Sequence, residues 1–227
     1  MESAQPAGQQ QEGQAERHLA LTYVPARHRP AIVALFALDD ALADIVRTTS
    51  EPAIGQMRLV WWHDALVKLD TAPPPAQPVL QAIARDLLPS GARGSDAAAM
   101  IDGWDVLIEE PELDRATLQR FGAGRGGTLF GLAARALDPA APLEAVRAAG
   151  SGWALADLAG GLSSPQEAEA ARALALEQLR GALEQRWPRA LRPLGMLAHF
   201  ARLDIEQVPA GSPKRLARVL WHRLTGR

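Results

Sequence analysis

The sequence predicts an all-α protein, and three observations carry that expectation. Ala, Leu, Arg and Glu, all good helix formers, dominate a chain of 227 residues that holds one Tyr and four Phe. Apolar residues recur at three- and four-residue spacing along most of the chain, and alternating strand patterns are hard to find. Prolines and glycines fall between the periodic segments, where helices begin and end.

The elements follow in order. Residues 1–16 are polar and read as a disordered tail, which leaves residues 17–227 as a single helical domain. "ERHLALTYV" is a short helix stopped by Pro25. In the next segment Ile32, Leu35, Phe36, Leu38, Leu42, Ile45 and Val46 form one apolar stripe, with Pro30 in the first turn. Ser50 and Pro52 open a helix that runs to about Leu69. After the proline-rich "DTAPPPAQP", helices are expected near 77–88, 95–109 and 114–136, then through "PLEAVRAAGSGWALADLAGGL". Ser164 with Pro165, Pro188, and Ser212 with Pro213 open the last three. The sum is nine or ten helices in one bundle, a fold class that places ligand and metal sites between facing helices.

Several function classes lose support at once. A net charge of −2 gives no bulk attraction to nucleic acid, and no nucleic-acid partner is expected. Without cysteine there are no disulfides, thiolate zinc sites or cysteine nucleophiles. The five histidines are scattered and form no zinc-binding pair on one helix. No G-x-S-x-G elbow and no apolar run long enough to cross a membrane occur, and the N-terminus lacks the pattern of a signal peptide. A cytoplasmic location follows, with peripheral contact at the inner membrane face suggested by the basic, amphipathic "SPKRLARVLWHRLTGR", where Leu216, Val219, Leu220 and Leu224 share a face.

Four stretches carry polar groups of interest. "LDDALAD" sets Asp40 and Asp44 four residues apart on one helix face, a repulsive pair that a hard cation such as Mg2+ or a neighbouring Arg relieves. "MRLVWWHDAL" holds Arg58, Trp61 and Trp62. The adjacent tryptophans point about 100° apart, so one is expected in the core and one at an edge or groove. "GAGRGG" around Arg125 lacks the strand and the Lys–Ser/Thr pair of a phosphate loop, and tight helix packing is the better reading. "GSGWALADLAGG" has Asp157 as its one acid.

The span "LALTYVPARHRPAIVALFALDDALADIVRTTSEPAIGQMRLVWWHDAL" resembles the squalene/phytoene synthase family, and a weaker likeness continues through "MIDGWDVLI", "LQRFGAGRGGTLFGLAARAL" and "GSGWALADLAGGL". The resemblance implies an isoprenoid (terpenoid) synthase-like bundle. In catalytic relatives, two facing helices carry aspartate-rich motifs whose Mg2+ ions grip a prenyl diphosphate, and two prenyl chains join head to head. Here Ala43 and Arg47 stand where the first motif has its outer aspartates, and Asp40–Asp44 lies three residues early. That shift rotates the pair by about 60° and moves it by about 4.5 Å along the helix. At the second motif Asp157 matches, but Gly160 and Gly161 stand where Arg and Asp should follow.

Two readings result. One is a divergent, non-catalytic or altered member that binds a prenyl or lipid-like group, or assists assembly of a membrane complex with a protein partner. The latter role is suggested by a similarity to the complex I assembly factor branch in "GQMRLVWW". The alternative is an active Mg2+-dependent prenyltransferase of isoprenoid or carotenoid biosynthesis. Asp40, Asp44 and Asp157 would then hold the metal, with Arg58 and Arg125 on the diphosphate.

Overall fold

The computed structural model describes residues 7–110 and 112–227. Helix α1 spans Ala7–Thr22, α2 Arg29–Thr48 and α3 Pro52–Lys68. Then come α4 (Pro78–Ala82), continued by a π-helical turn, and α5 (Gly94–Glu109). Helix α6 (Arg115–Phe121) passes through a π-helical segment, Gly122–Gly127, straight into α7 (Thr128–Leu137). Helices α8 (Leu143–Gly161), α9 (Pro165–Glu184), α10 (Arg192–Ile205) and α11 (Pro213–Thr225) complete the bundle.

Local sequence sets these boundaries. Prolines occupy the first turns of α2, α3, α9 and α11, where their missing N–H costs nothing. Ser164 caps α9 by accepting the Glu167 N–H at 3.3 Å, and Asp114 caps α6 by accepting the Thr117 N–H at 2.7 Å. The polar tail expected over residues 1–16 is corrected in part. Residues 7–16 form the first ten of the sixteen residues of α1, in keeping with their Gln, Glu and Ala content. Glu16 is also tied to Arg215 of α11 by two hydrogen bonds of 2.5 and 2.6 Å. Residues 1–6 lie outside the described residues.

One hydrophobic core runs through the bundle, with Ile32, Leu35, Leu38, Phe121 and Phe130 among its fully buried side chains. The π-helical segment packs between α5 and α8. Its glycines make this possible. A Cβ on Gly124 would collide with the Gly103 backbone of α5, and one on Gly126 with the Gly150 backbone of α8. The three backbones therefore touch, and Arg125, between those two glycines, is carried into the interior.

A pair of histidines is buried as well. His199 of α10 and His222 of α11 lie with ring centroids 4.7 Å apart, both inaccessible. Burial, then the positive charge of His222 and Arg218, pushes His199 down to about 2. Burial, then Arg218 and Arg192, pushes His222 down to about 4. Both rings stay neutral in the folded protein, whereas the unfolded chain protonates them near 6.5. The unfolded state thus binds more protons, and stability is lost as pH falls from 6.5 through the folded values. We expect the melting temperature to fall between neutral pH and about pH 5, with up to about 2 kcal/mol lost per histidine. His222→Gln should flatten that slope in thermal melts followed by circular dichroism. An identical slope in the variant would contradict the assignment.

Candidate functional site

The centre of the bundle holds a charge cluster drawn from three elements. Arg125 Nε donates to Asp39 Oδ1 at 2.9 Å and Nη2 donates to Asp39 Oδ2 at 2.9 Å, a bidentate pair from the π-helical segment to α2. Arg125 Nη1 donates to Asp157 Oδ2 on α8 at 2.6 Å. Asp39 is 1% exposed and Arg125 5%. The guanidinium carbon lies 4.4 Å from the Trp104 ring centroid, 4.9 Å from that of Trp153 and 5.7 Å from that of Phe121, so aromatic faces enclose the cation. Phe36 and Phe130 pack against Trp153 from two further sides, at 5.9 and 5.6 Å between centroids. Burial works against the charge on Arg125. Asp39 and Asp157 more than offset it and hold the guanidinium pKa above its ordinary value.

Asp39 is the residue that sequence reasoning passed over. A signal for it existed, because Asp39 continues the apolar row of Leu35, Phe36, Leu42 and Ala43, all buried on α2. Asp40 and Asp44 sit elsewhere. Arg17 of α1 donates to both carboxylate oxygens of Asp40, at 2.9 and 3.1 Å, and Arg47 donates to Asp44 at 2.5 Å, both at the exposed surface. Of Asp40, Asp44 and Asp157, the structure brings only Asp157 to Arg125, and the Asp157 side chain stays half exposed there. No group of three or more His, Asp or Glu that could hold a metal ion is present among the described residues. The central residues do not fit a divalent cation, because both oxygens of Asp39 and one of Asp157 already accept guanidinium hydrogen bonds.

On α3 the adjacent tryptophans divide as expected. Trp62 is 8% exposed and joins the core, while Trp61 is 49% exposed and meets it edge-on at 5.5 Å. Arg58 Nη1 donates to Thr49 Oγ1 at 2.7 Å and so ties α3 to the end of α2, well away from Arg125 in its role. Ile54, Met57, Arg58, Trp61 and Trp62 line an open groove of about 340 Å³, the size of a small ligand site.

A family profile described as "Squalene/phytoene synthase" matches residues 10–163, more than half of the chain. The chain belongs to the squalene/phytoene synthase family. The match covers α1 to α8, and so includes Asp39, Arg125 and Asp157 alike. Among solved structures, a dehydrosqualene synthase crystallised in complex with ligand superposes with a TM-score of 0.70 at 14% identity, covering 95% of this chain and 96% of that one. At that identity the likeness is one of fold, the isoprenoid synthase-like helical bundle. No curated protein matches the chain in sequence.

Members of the squalene/phytoene synthase family generally use Mg2+ with prenyl diphosphates. In this member a guanidinium of the chain itself joins the carboxylates of α2 and α8. Removing Arg125 strands Asp39 as a buried, unpaired charge, whereas replacing both partners by apolar residues strands nothing in the interior. Arg125→Met is expected to cost about 3–5 kcal/mol, and the double variant Asp39→Leu/Arg125→Met distinctly less. Urea denaturation of the two checks this. A double variant no more stable than Arg125→Met would contradict the pairing.

Proposed function

We propose that this chain is a non-catalytic or altered member of the squalene/phytoene synthase family that binds an isoprenoid or similar lipid-like molecule. The observation that carries this reading is the Asp39–Arg125–Asp157 cluster. Departure of a diphosphate needs its charge neutralised by metal ions, and here the carboxylates of the two facing helices are engaged by one guanidinium of the chain itself, which cancels one of their two charges. The remaining candidate metal ligands, Asp40 and Asp44, are spent on Arg17 and Arg47 at the surface. Phe36 and Phe130 pack on Trp153 beside the guanidinium, and Trp104 lies against it.

The α3 groove supplies a binding surface of suitable chemistry. It is lined by Ile54, Met57, Trp61 and Trp62 together with Arg58. An apolar chain with an anionic head matches that pattern. The ligand would lie along the tryptophans with its head near the Arg58 guanidinium. Such a ligand comes from lipid, and peripheral contact with a membrane belongs to this reading.

A second reading makes α3 a protein-docking face, as for a partner in a membrane complex. Val60 at 58% exposure favours it, because it extends the apolar surface beyond the groove that Met57, 72% exposed, helps to line.

Two assays run side by side test the proposal. With farnesyl or geranylgeranyl diphosphate, Mg2+ and NADPH, no pyrophosphate release above background is expected, and Asp44→Ala should change nothing. Binding of farnesyl diphosphate without turnover, followed by tryptophan fluorescence, should weaken about tenfold in Trp61→Ala or Arg58→Ala, a loss of ~1.4 kcal/mol. Pyrophosphate release that Asp44→Ala abolishes would establish an active metal-dependent prenyltransferase and overturn the proposal. Undiminished binding in both groove variants would remove the groove from it.

A further inference from the structure

Helix α11 is turned the unusual way round. It is the most strongly amphipathic helix of the chain by sequence, yet it buries its polar side. Arg215 is 2% exposed and donates to Glu16, Asp204 and the Val208 carbonyl. Arg218 reaches His199, and His222 is enclosed between Gly195 and Trp187. Leu216, Leu220, Trp221 and Leu224 face outward as a continuous strip, with Leu224 75% exposed. An isolated exposed leucine is ordinary, but four large apolar residues on one helix face are a binding surface.

The surroundings of this strip are basic. Lys214 lies at its start and Arg227 beyond its end, both exposed. Arg186, Arg189, Arg192 and Arg223 crowd the C-terminal end of α11, where Arg192 Nη1 donates to the carbonyls of Arg223 and Leu224. The guanidinium of Arg192 is pushed below its usual value, by burial and then by Arg186, Arg223 and Arg189, so these charges lie close enough to act on one another. Beside them, a surface concavity of about 670 Å³ is lined by Tyr23, Arg29, Arg189 and Arg223.

We infer that α11 is a membrane-docking element: it lies flat on an anionic lipid bilayer, with Leu216, Leu220, Trp221 and Leu224 in the acyl boundary and the arginine cluster on the headgroup phosphates. An apolar strip flanked by cations is the pattern of an interfacial helix, and a tryptophan belongs at headgroup depth. Charge decides against a second copy of this chain as the occupant, because a symmetric contact would set the arginine cluster against itself. The inference deepens the lipid-binding reading by assigning the surface through which the protein would meet its ligand's source, and it involves no residue of the α3 groove.

Vesicle co-sedimentation of the full chain tests it, without any prenyl ligand, so that its outcome is independent of the groove assay. The wild type is expected to bind phosphatidylcholine vesicles containing phosphatidylglycerol and to bind pure phosphatidylcholine weakly. Binding should fall as salt rises. Trp221→Glu/Leu224→Glu should lower it by about tenfold or more, and Arg186→Glu/Arg189→Glu should abolish the preference for anionic lipid. These positions are exposed, and unchanged circular dichroism would show the variants folded. No binding by the wild type, or equal binding by the Trp221→Glu/Leu224→Glu variant, overturns the inference. So does self-association in solution that this variant relieves when vesicle binding is absent, because the strip would then be a protein contact.

Discussion

The ion pair between Arg125 and Asp39 is the constraint on which the centre of this molecule depends. A charge with almost no access to water survives only with partners at close range, and Arg125 has two carboxylates and three aromatic faces. To deliver it, the chain between α6 and α7 widens into a π-helical turn, and the backbones of α5 and α8 come into direct contact with it. Such widening is a local feature that recurs at functional sites. The glycines that permit the contact are a cost to helix stability, roughly 1 kcal/mol each. That cost is offset by packing and by the cluster they place. Asp39 in turn ties α2 to α8 through Arg125.

The outside of the molecule complements this inside. Among the described residues, titratable side chains are buried at three places, Asp39 with Arg125, Arg215, and His199 with His222, while α3 and α11 leave large apolar side chains in water. The hydrogen bonds of Arg215 and the packing of His222 against Gly195 and Trp187 set the rotation of α11 about its own axis. With those two residues inward, the leucines have nowhere to go but outward. The chain thus spends interior space on positioning charges and keeps apolar area for contact with something else.

Much of the fold was legible in the residues. Helix starts at Pro52, Ser164–Pro165 and Ser212–Pro213, the tight packing of "GAGRGG", and the division of Trp61 from Trp62 follow from local chemistry that does not need the rest of the chain. The centre was legible only in part. Asp40 and Asp44 drew notice through their spacing, although their neighbours Arg17 and Arg47 account for them. Asp39 gave its signal through the apolar row it interrupts, and the adjacent Asp40 masked it. Arg125, which the prenyltransferase alternative sets on a diphosphate, meets carboxylates 86 and 32 residues away in sequence, which no local pattern reveals. On α11 the apolar face expected from Leu216, Val219, Leu220 and Leu224 is split, with Val219 inside and the leucines outside, because tertiary hydrogen bonds to Arg215 override the periodic pattern.

The most direct test is a crystal structure from Mn2+-soaked crystals with inorganic pyrophosphate present, read by anomalous scattering. The expected map has Arg125 Nε and Nη2 on Asp39, Nη1 on Asp157, and no manganese peak between α2 and α8. A manganese ion held by Asp39 or Asp157, with Arg125 swung away onto the pyrophosphate, would show the cluster to be a resting arrangement of a working metal site and would contradict the account.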